Sequence, residues 1–141
     1  MRRILLSLVA VLLLAVPGVA QEQSATDILA ANRALIEKPT RATITPVIAA
    51  LAESGDPLAA TILAAWEDRG LGVREADGTF FLIEATADGW ALRDLAGADA
   101  GTAAKSDITE LRPNAGVRGM ISTALVQFTL SDPDPAKRAD A

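Results

Sequence analysis

The chain has 141 residues, of which 13 are basic and 18 acidic, so its formal net charge at pH 7 is −5. An acidic chain without a basic cluster is poorly suited to nucleic acid or anionic lipid headgroups, because both are bound through Lys and Arg. Cysteine and histidine are absent, which excludes disulfides, Ser-His and Cys-His catalysis, and the commonest metal ligand.

The first 20 residues have the organisation of a secretory signal peptide. Arg2 and Arg3 precede an apolar run from Ile4 to Val16, and small residues follow up to Ala20. We predict cleavage after Ala20. A membrane anchor is the alternative, but the run is shorter than the roughly 20 residues that span a bilayer. The mature chain is therefore expected to be exported, without a membrane span of its own.

Residues 21–70 are predicted to be helical. A first helix begins near Ser24, in a segment that resembles a capping box, and ends at Lys38-Pro39-Thr40. Thr45-Pro46 predicts the N-cap and first residue of a second helix. Asp56-Pro57 again combines a capping residue with a proline and begins a third helix. Trp66 is expected on the core-facing side of this helix, and Gly70 just after its end. The second and third helices are predicted to form an αα-hairpin.

Residues 71–112 have the pattern of a β-rich insert. Asp77-Gly78 lies between two apolar segments, which predicts a hairpin turn. Residues 90–94 predict another short strand. Residues 96–104 are small and are interpreted as a loop, and residues 108–111 as a last strand or a helical turn.

Residues 113–141 return to helical periodicity, with a helix from about Pro113 to Leu130. Asp134-Pro135 then begins another helix, so that an apolar helix followed by an Asp-Pro turn occurs twice in the chain. We predict a mainly α fold of HEAT-like helical-hairpin repeats with an inserted small β-hairpin or β-meander, preceded by the signal peptide. Since the chain ends soon after Pro135, the last repeat is expected to be cut short.

No catalytic, cofactor-binding or metal-binding residue is predicted. Asp132 and Asp134 are a pair of carboxylates, but Ca²⁺ needs about six to eight oxygen ligands, and helix capping accounts for Asp134. The glycines are scattered and form no phosphate-binding loop with a following Lys.

Trp90, Phe81 and Arg118 are the candidates for contact with a partner. Trp90 follows a turn, and exposed aromatic residues favour interfaces; packing within the protein is the alternative. Phe80 and Phe81 are adjacent in a predicted strand and therefore point to opposite faces. One of them is expected against the helices and the other, taken as Phe81, under a partner. Arg118 lies near the start of a predicted helix. The alternative to a partner contact is that it forms ion pairs between repeats.

An ordered series of short motifs runs through most of the chain. After the leader it comprises Ser54-Gly55-Asp56-Pro57, Leu71-Gly72-Val73-Arg74 with Asp77-Gly78, Ile108 to Arg112 with Asn114, Arg118, and Leu130 to Pro135 with Arg138. In this series the chain resembles the N-terminal extracytoplasmic region of bacterial urea ABC transporter permeases, within the branched-chain amino-acid permease group. The resemblance is best over about residues 51–138. It is partial where the family is expected to have a paired Asn and a Leu-Arg, since this chain has Pro113-Asn114 and Val117-Arg118.

The resemblance implies a non-catalytic extracytoplasmic module, a truncated piece of the permease, that contributes to urea transport through protein contacts. In such permeases this segment precedes further helical repeats and the membrane helices that form the urea pathway, so no urea-conducting residue carries over to this chain. The implied partners are other subunits or the membrane part of the transporter, or its solute-binding protein. A stand-alone periplasmic binding or inhibitor-like protein is the alternative.

Overall fold

The computed structural model describes residues 23–139. The predicted signal peptide, residues 1–20, lies outside the described residues.

Two short helices open the described chain, α1 (Ala25–Ala31) and α2 (Arg33–Glu37). The predicted cap is confirmed, because the Ser24 side chain accepts a hydrogen bond from the Asp27 amide at 3.1 Å. The single helix predicted for this segment is divided at Asn32, which leaves the helical conformation at φ −113° while its side-chain amide donates to the Ile28 carbonyl. Asn forms such local bonds at helix ends, where they compete with the helical pattern.

Helix α3 (Arg41–Glu53) begins earlier than the sequence predicts. Thr40 and Thr43 cap it reciprocally, since each side chain accepts from the other residue's amide. The predicted start at Thr45-Pro46 is therefore wrong, and Pro46 lies inside the helix. Its missing N–H removes one helical hydrogen bond, a cost that the burial of Ile44, Val47, Ile48 and Leu51 along this helix outweighs.

Helix α4 (Leu58–Glu67) follows the predicted Asp-Pro turn. One carboxylate oxygen of Asp56 accepts from the Leu58 amide at 2.9 Å, and the other accepts from the Ala25 amide at 2.8 Å. Asp56 thus caps the neighbouring helix and also the start of α1. The helix ends at Glu67, and Arg69, at φ 61°, takes the left-handed position after the C-cap that was predicted for Gly70.

Five strands form one antiparallel sheet. They are β1 (Leu71–Arg74), β2 (Phe80–Ala85), β3 (Gly89–Arg93), β4 (Asp99–Ala104) and β5 (Ile108–Glu110), in the order β4-β3-β2-β1-β5. The hairpin at Asp77-Gly78 is confirmed, with Gly78 at φ 72° and Val73 paired with Phe80. The interpretation of residues 96–104 as a loop is wrong, because β4 pairs with β3 over most of this segment.

The chain then returns to helix, with α5 (Ala115–Leu130) and α6 (Pro135–Ala139). The main core lies between the helices and one face of the sheet, and joins buried side chains such as Leu29, Leu51, Trp66, Val73 and Ile121. Phe80 belongs to this core, whereas Phe81 lies in a second cluster on the other face of the sheet. The opposite orientations predicted for these two residues are confirmed.

The predicted mainly α fold of HEAT-like repeats is wrong: the protein is a mixed α/β protein with a five-stranded antiparallel sheet. Repeats would stack each helical hairpin on the next one. Instead, α5 packs against α3 and α4 in a main core to which the strands β1 and β2 also contribute. The duplicated Asp-Pro turn is a shared way of starting a helix and does not mark a structural repeat.

Candidate protein-contact site

Helix α5 is held in the molecule by one face. Its N-cap is Asn114, whose side-chain oxygen accepts from the Val117 amide at 3.0 Å. Val117, Ile121 and Ala124 are buried in the main core, at 0%, 0% and 7% exposure. Because these residues follow the helical period, the opposite face of α5 points away from the core.

The outward side of α5 carries no charged residue. Its exposed residues are Ala115, Gly119, Ser122, Thr123, Val126, Gln127 and Leu130. The one charged residue of the helix is Arg118, which is half-buried. Val126 and Leu130 are 44% and 55% exposed, although both are large and apolar. Solvent-facing helix surfaces normally carry charged and polar residues, so this surface, which we call the uncharged face of α5, has the composition of a contact surface.

A groove borders the uncharged face, between α5 and α3. The two helices run in the same direction, because Arg41 lies beside Gly116 and the Thr45 hydroxyl is 4.0 Å from the Met120 sulfur. The groove has a volume of about 1290 Å³, and small residues such as Ala49 and Gly119 form much of its wall. Charged side chains stand near its ends. They are Arg41, Glu53, Asp56, Asp132 and Lys137.

The aspartates near the groove accept hydrogen bonds from backbone amides. Both oxygens of Asp56 accept from backbone amides, as described above. Asp132 accepts from the Asp134 amide at 2.8 Å and pairs with Lys137 at 3.6 Å, and Asp134 accepts from the Ala136 amide at 2.9 Å. In residues 23–139 no three Asp, Glu, His or Cys side chains are grouped so that they could hold a metal ion. The arrangement therefore provides a surface for contact, with polar groups near its ends.

Trp90 and Phe81, two of the predicted contact residues, lie together on the outer face of the sheet. Phe81, Ile83, Leu92 and Ile108 form a small cluster there, and Trp90 packs against it. Phe81 is only 7% exposed, and the Arg74 guanidinium lies 4.9 Å from its ring centre. Side chains of this chain thus cover most of Phe81, while Trp90 is half-exposed.

A glycine allows this outer cluster to close. A Cβ atom on Gly72 would lie 2.8 Å from Ile108 and 2.9 Å from Ile83, because both side chains extend over the backbone of β1. The outer cluster is therefore a second, smaller core of the protein. It accounts for the burial of four apolar side chains on a sheet face that none of the helices within residues 23–139 contributes to.

Arg118, the third predicted contact residue, lies on α5 and belongs to neither core cluster. Its Nε is buried without a hydrogen-bond partner, and none of the ion pairs found within the described part of the chain involves it. The structure thus brings Trp90 and Phe81 together and leaves Arg118 apart from them.

The uncharged face of α5 was not identified by motif reasoning, although its signal is present in the sequence. Sixteen residues with one charge form an unusual helix for a chain in which 22% of the residues are charged. Trp90 and Phe81 were predicted as contact residues because they are aromatic, and both lie on the sheet. Within residues 23–139 no helix is both long and apolar enough to cross a membrane.

Comparisons with protein-family models, with curated proteins and with solved structures gave no match to this chain.

Proposed function

We propose that the chain is a non-catalytic extracytoplasmic module that acts through protein contacts. The observation that carries this proposal is the uncharged face of α5 beside its groove. Two large apolar side chains are exposed there, and small residues form much of the wall of the adjoining groove. A face without charged residues suits the core of an interface, where charged residues are depleted.

The transport context of the proposal comes from the sequence. The ordered motifs from Ser54 to Arg138 resemble the extracytoplasmic region of urea ABC transporter permeases, and we propose that the module contributes to urea transport in such an assembly. Its partners are then other subunits or the membrane part of the transporter, or the solute-binding protein. In this proposal, the apolar leader places the module on the periplasmic side of the inner membrane.

Co-purification with the transporter tests this function. The full chain with an affinity tag is produced together with the transporter's membrane subunits, and solubilised membranes are probed for those subunits and for the solute-binding protein. We expect the native chain to retain at least one of them. Thr123→Lys, which places a charge on the exposed face of α5, should reduce the recovery at least about tenfold.

A matched variant controls for non-specific effects. Thr102→Lys makes the same change at an exposed residue of β4, at the edge of the sheet, and its recovery should equal that of the native chain. Absence of every transporter component from all three preparations would contradict the transport proposal. Equal recovery with Thr123→Lys and Thr102→Lys would contradict the role of α5.

The stand-alone binding or inhibitor-like protein remains the second candidate. The extensive main core, in which helices and strands bury one another, favours it because such a unit can fold without a partner. Urea uptake in cells with and without the chain separates the two candidates, since only the transport module should change the uptake rate.

A further inference from the structure

The exposed residues of α5 form a regular seam along the helix. Ala115, Gly119, Ser122, Val126 and Leu130 follow one another at spacings of three or four residues, which places them on one side of the helix. The seam is also asymmetric. Its first half has Ala and Gly, and its second half has Val and Leu, with Ser122 and Thr123 at the middle.

We propose that a second copy of this chain occupies the uncharged face, with the two α5 helices packed antiparallel about Ser122 and Thr123. This inference rests on the proposed function, since it identifies the protein that contacts the uncharged face as a second copy of the module within the same assembly. In this arrangement Leu130 of the second copy lies opposite Ala115, and Val126 of the second copy lies opposite Gly119. Each large side chain of one copy thus meets a small residue of the other, which lets the helices approach and interlock.

Charge distribution favours the antiparallel direction over the parallel one. Arg41 lies beside Gly116, at the beginning of α5, and Asp132 follows the end of the helix. Antiparallel packing brings Arg41 of one copy towards the opposite end of the groove of the other, where the acidic residues Glu53, Asp56 and Asp132 outnumber Lys137. Parallel packing would place the two Arg41 side chains near each other and align the two helix dipoles unfavourably.

The groove adds contact area to the helix pair. A helix of 16 residues is about 24 Å long, and one face of it is smaller than the about 800 Å² per partner of a standard interface. The α3 side of the groove contributes Thr45, Ala49 and Ala52, which are also uncharged. In a two-fold symmetric dimer the two copies contribute the same surface patch. Both the α3 side and the α5 side of the groove are therefore buried in each copy.

Cysteine crosslinking of the full chain tests the pairing, because the chain has no cysteine of its own. One tagged copy carries Gly119→Cys, and a differently tagged copy carries Val126→Cys. We expect mild oxidation of the mixture to give a disulfide-linked heterodimer. Two copies of Val126→Cys should not crosslink, since the antiparallel arrangement separates these positions by more than the roughly 7 Å that a disulfide spans between Cα atoms. Ala96→Cys, at an exposed loop residue, measures random collisions.

Two results would overturn the proposal. One is crosslinking of the 119–126 mixture no stronger than that of Ala96→Cys. The other is preferred crosslinking of Val126→Cys with itself, which would indicate parallel helices. A crosslink from Gly119→Cys to a transporter subunit would also overturn the dimer but would support the proposed function. Conversely, a dimer without co-purified transporter components would leave the dimer established and contradict the transport role.

A charge-swap experiment provides a second measurement. Ser122→Lys and Ser122→Glu each place like charges near the two-fold axis, so each variant alone should dimerise at least about tenfold more weakly than the native chain by analytical ultracentrifugation. Mixing the two variants should restore dimerisation. Far-UV circular dichroism checks that both variants are folded, and failure of the mixture to associate better than either variant would contradict the proposed symmetry.

Discussion

Two glycines in the sheet occupy positions where a methyl group would meet other atoms. A Cβ on Gly89 would lie 2.2 Å from the Ala103 carbonyl oxygen, because β3 and β4 approach closely there. A Cβ on Gly72 would meet the two isoleucine side chains that close the outer cluster. Gly119, on the outer side of α5, has no such neighbour within 4 Å. The same substitution should therefore have opposite effects at different glycines.

Gly89→Ala should lower the free energy of unfolding by about 2 to 3 kcal/mol, since the backbone of β4 must move away from the added methyl group. Gly119→Ala should raise it by about 0.5 to 1 kcal/mol, because Ala favours the helix over Gly. Urea denaturation followed by circular dichroism measures both values. Equal effects of the two substitutions would contradict the close β3–β4 approach.

The turn between β1 and β2 contains a carboxylate with a perturbed pKa. Asp77 accepts hydrogen bonds from the Arg74 side chain, at 2.7 and 3.0 Å, and from the Thr79 amide at 3.1 Å. The Arg74 guanidinium is the largest cause that holds the pKa of Asp77 well below its usual value, and the Thr79 amide adds to it. The bonds favour the ionised form in the folded protein.

We predict that Asp77 contributes stability above its unfolded-state pKa of about 3.9, and that this contribution is lost as the pH falls through the lower pKa of the folded state. Asp77→Asn should therefore show a smaller loss of stability between pH 4 and more acidic values than the native chain. Carboxyl NMR titration follows the group directly. Arg74→Gln should raise the pKa of Asp77, and an unchanged pKa would show that the guanidinium does not hold it low.

At the scale of the elements, the two Asp-Pro turns begin helices with very different surroundings. Asp56 accepts from the Leu58 amide and from the Ala25 amide, so that it fastens α4 to α1. Asp134 caps α6, a helix that buries no residue. The sequence of the two turns is nearly the same, and the difference lies in what each helix packs against.

Asp56→Ala should lower the free energy of unfolding by about 2 kcal/mol, because it removes the capping acceptor of two helices that are packed in the core. Asp134→Ala should change it by less than about 0.5 kcal/mol, since exposed sites away from the core contribute little. Chemical denaturation of the two variants side by side gives the comparison. Similar losses in both would show that α6 is coupled to the core more strongly than its exposure indicates.

At the scale of the whole molecule, helices and strands share one main core, and the outer cluster lies on the same sheet. Trp66 is fully buried among the helices, whereas Trp90 packs on the outer face. The two tryptophans therefore report on opposite sides of the sheet. Because β2 contributes residues to both clusters, the two sides should lose their structure together.

Single-tryptophan variants test this coupling. Trp66→Phe leaves Trp90 as the only tryptophan, and Trp90→Phe leaves Trp66. In each variant we expect the fluorescence transition to coincide with the circular dichroism transition on thermal unfolding. A lower midpoint for Trp90 fluorescence than for the dichroism of the same variant would indicate that the outer cluster opens first and would contradict a single cooperative unit.

Local chemistry was sufficient to predict many of the elements. Ser24 and Asp56 act as helix caps, Asp77-Gly78 forms a hairpin turn, and α5 ends at Leu130, because each of these features depends on hydrogen bonds or periodicity within a few residues. The exposed strand β4 was not predicted, because it depends on pairing with another strand and not on a pattern within its own residues. Residues 99–104 have no alternating apolar pattern, and they form a strand only because the edge of β3 offers them backbone partners.

The sequence by itself determined the starts of most helices, the first hairpin and the residues available for chemistry, since these follow from side-chain types and short-range bonds. Only the tertiary structure decided that α5 shares one core with α3, α4 and the strands β1 and β2, and that apolar side chains of the sheet form a second cluster on its outer face. Packing partners depend on the summed burial of distant residues, which no local pattern records. For the uncharged face of α5, the composition can be read from the sequence, whereas the exposure is known only from the fold.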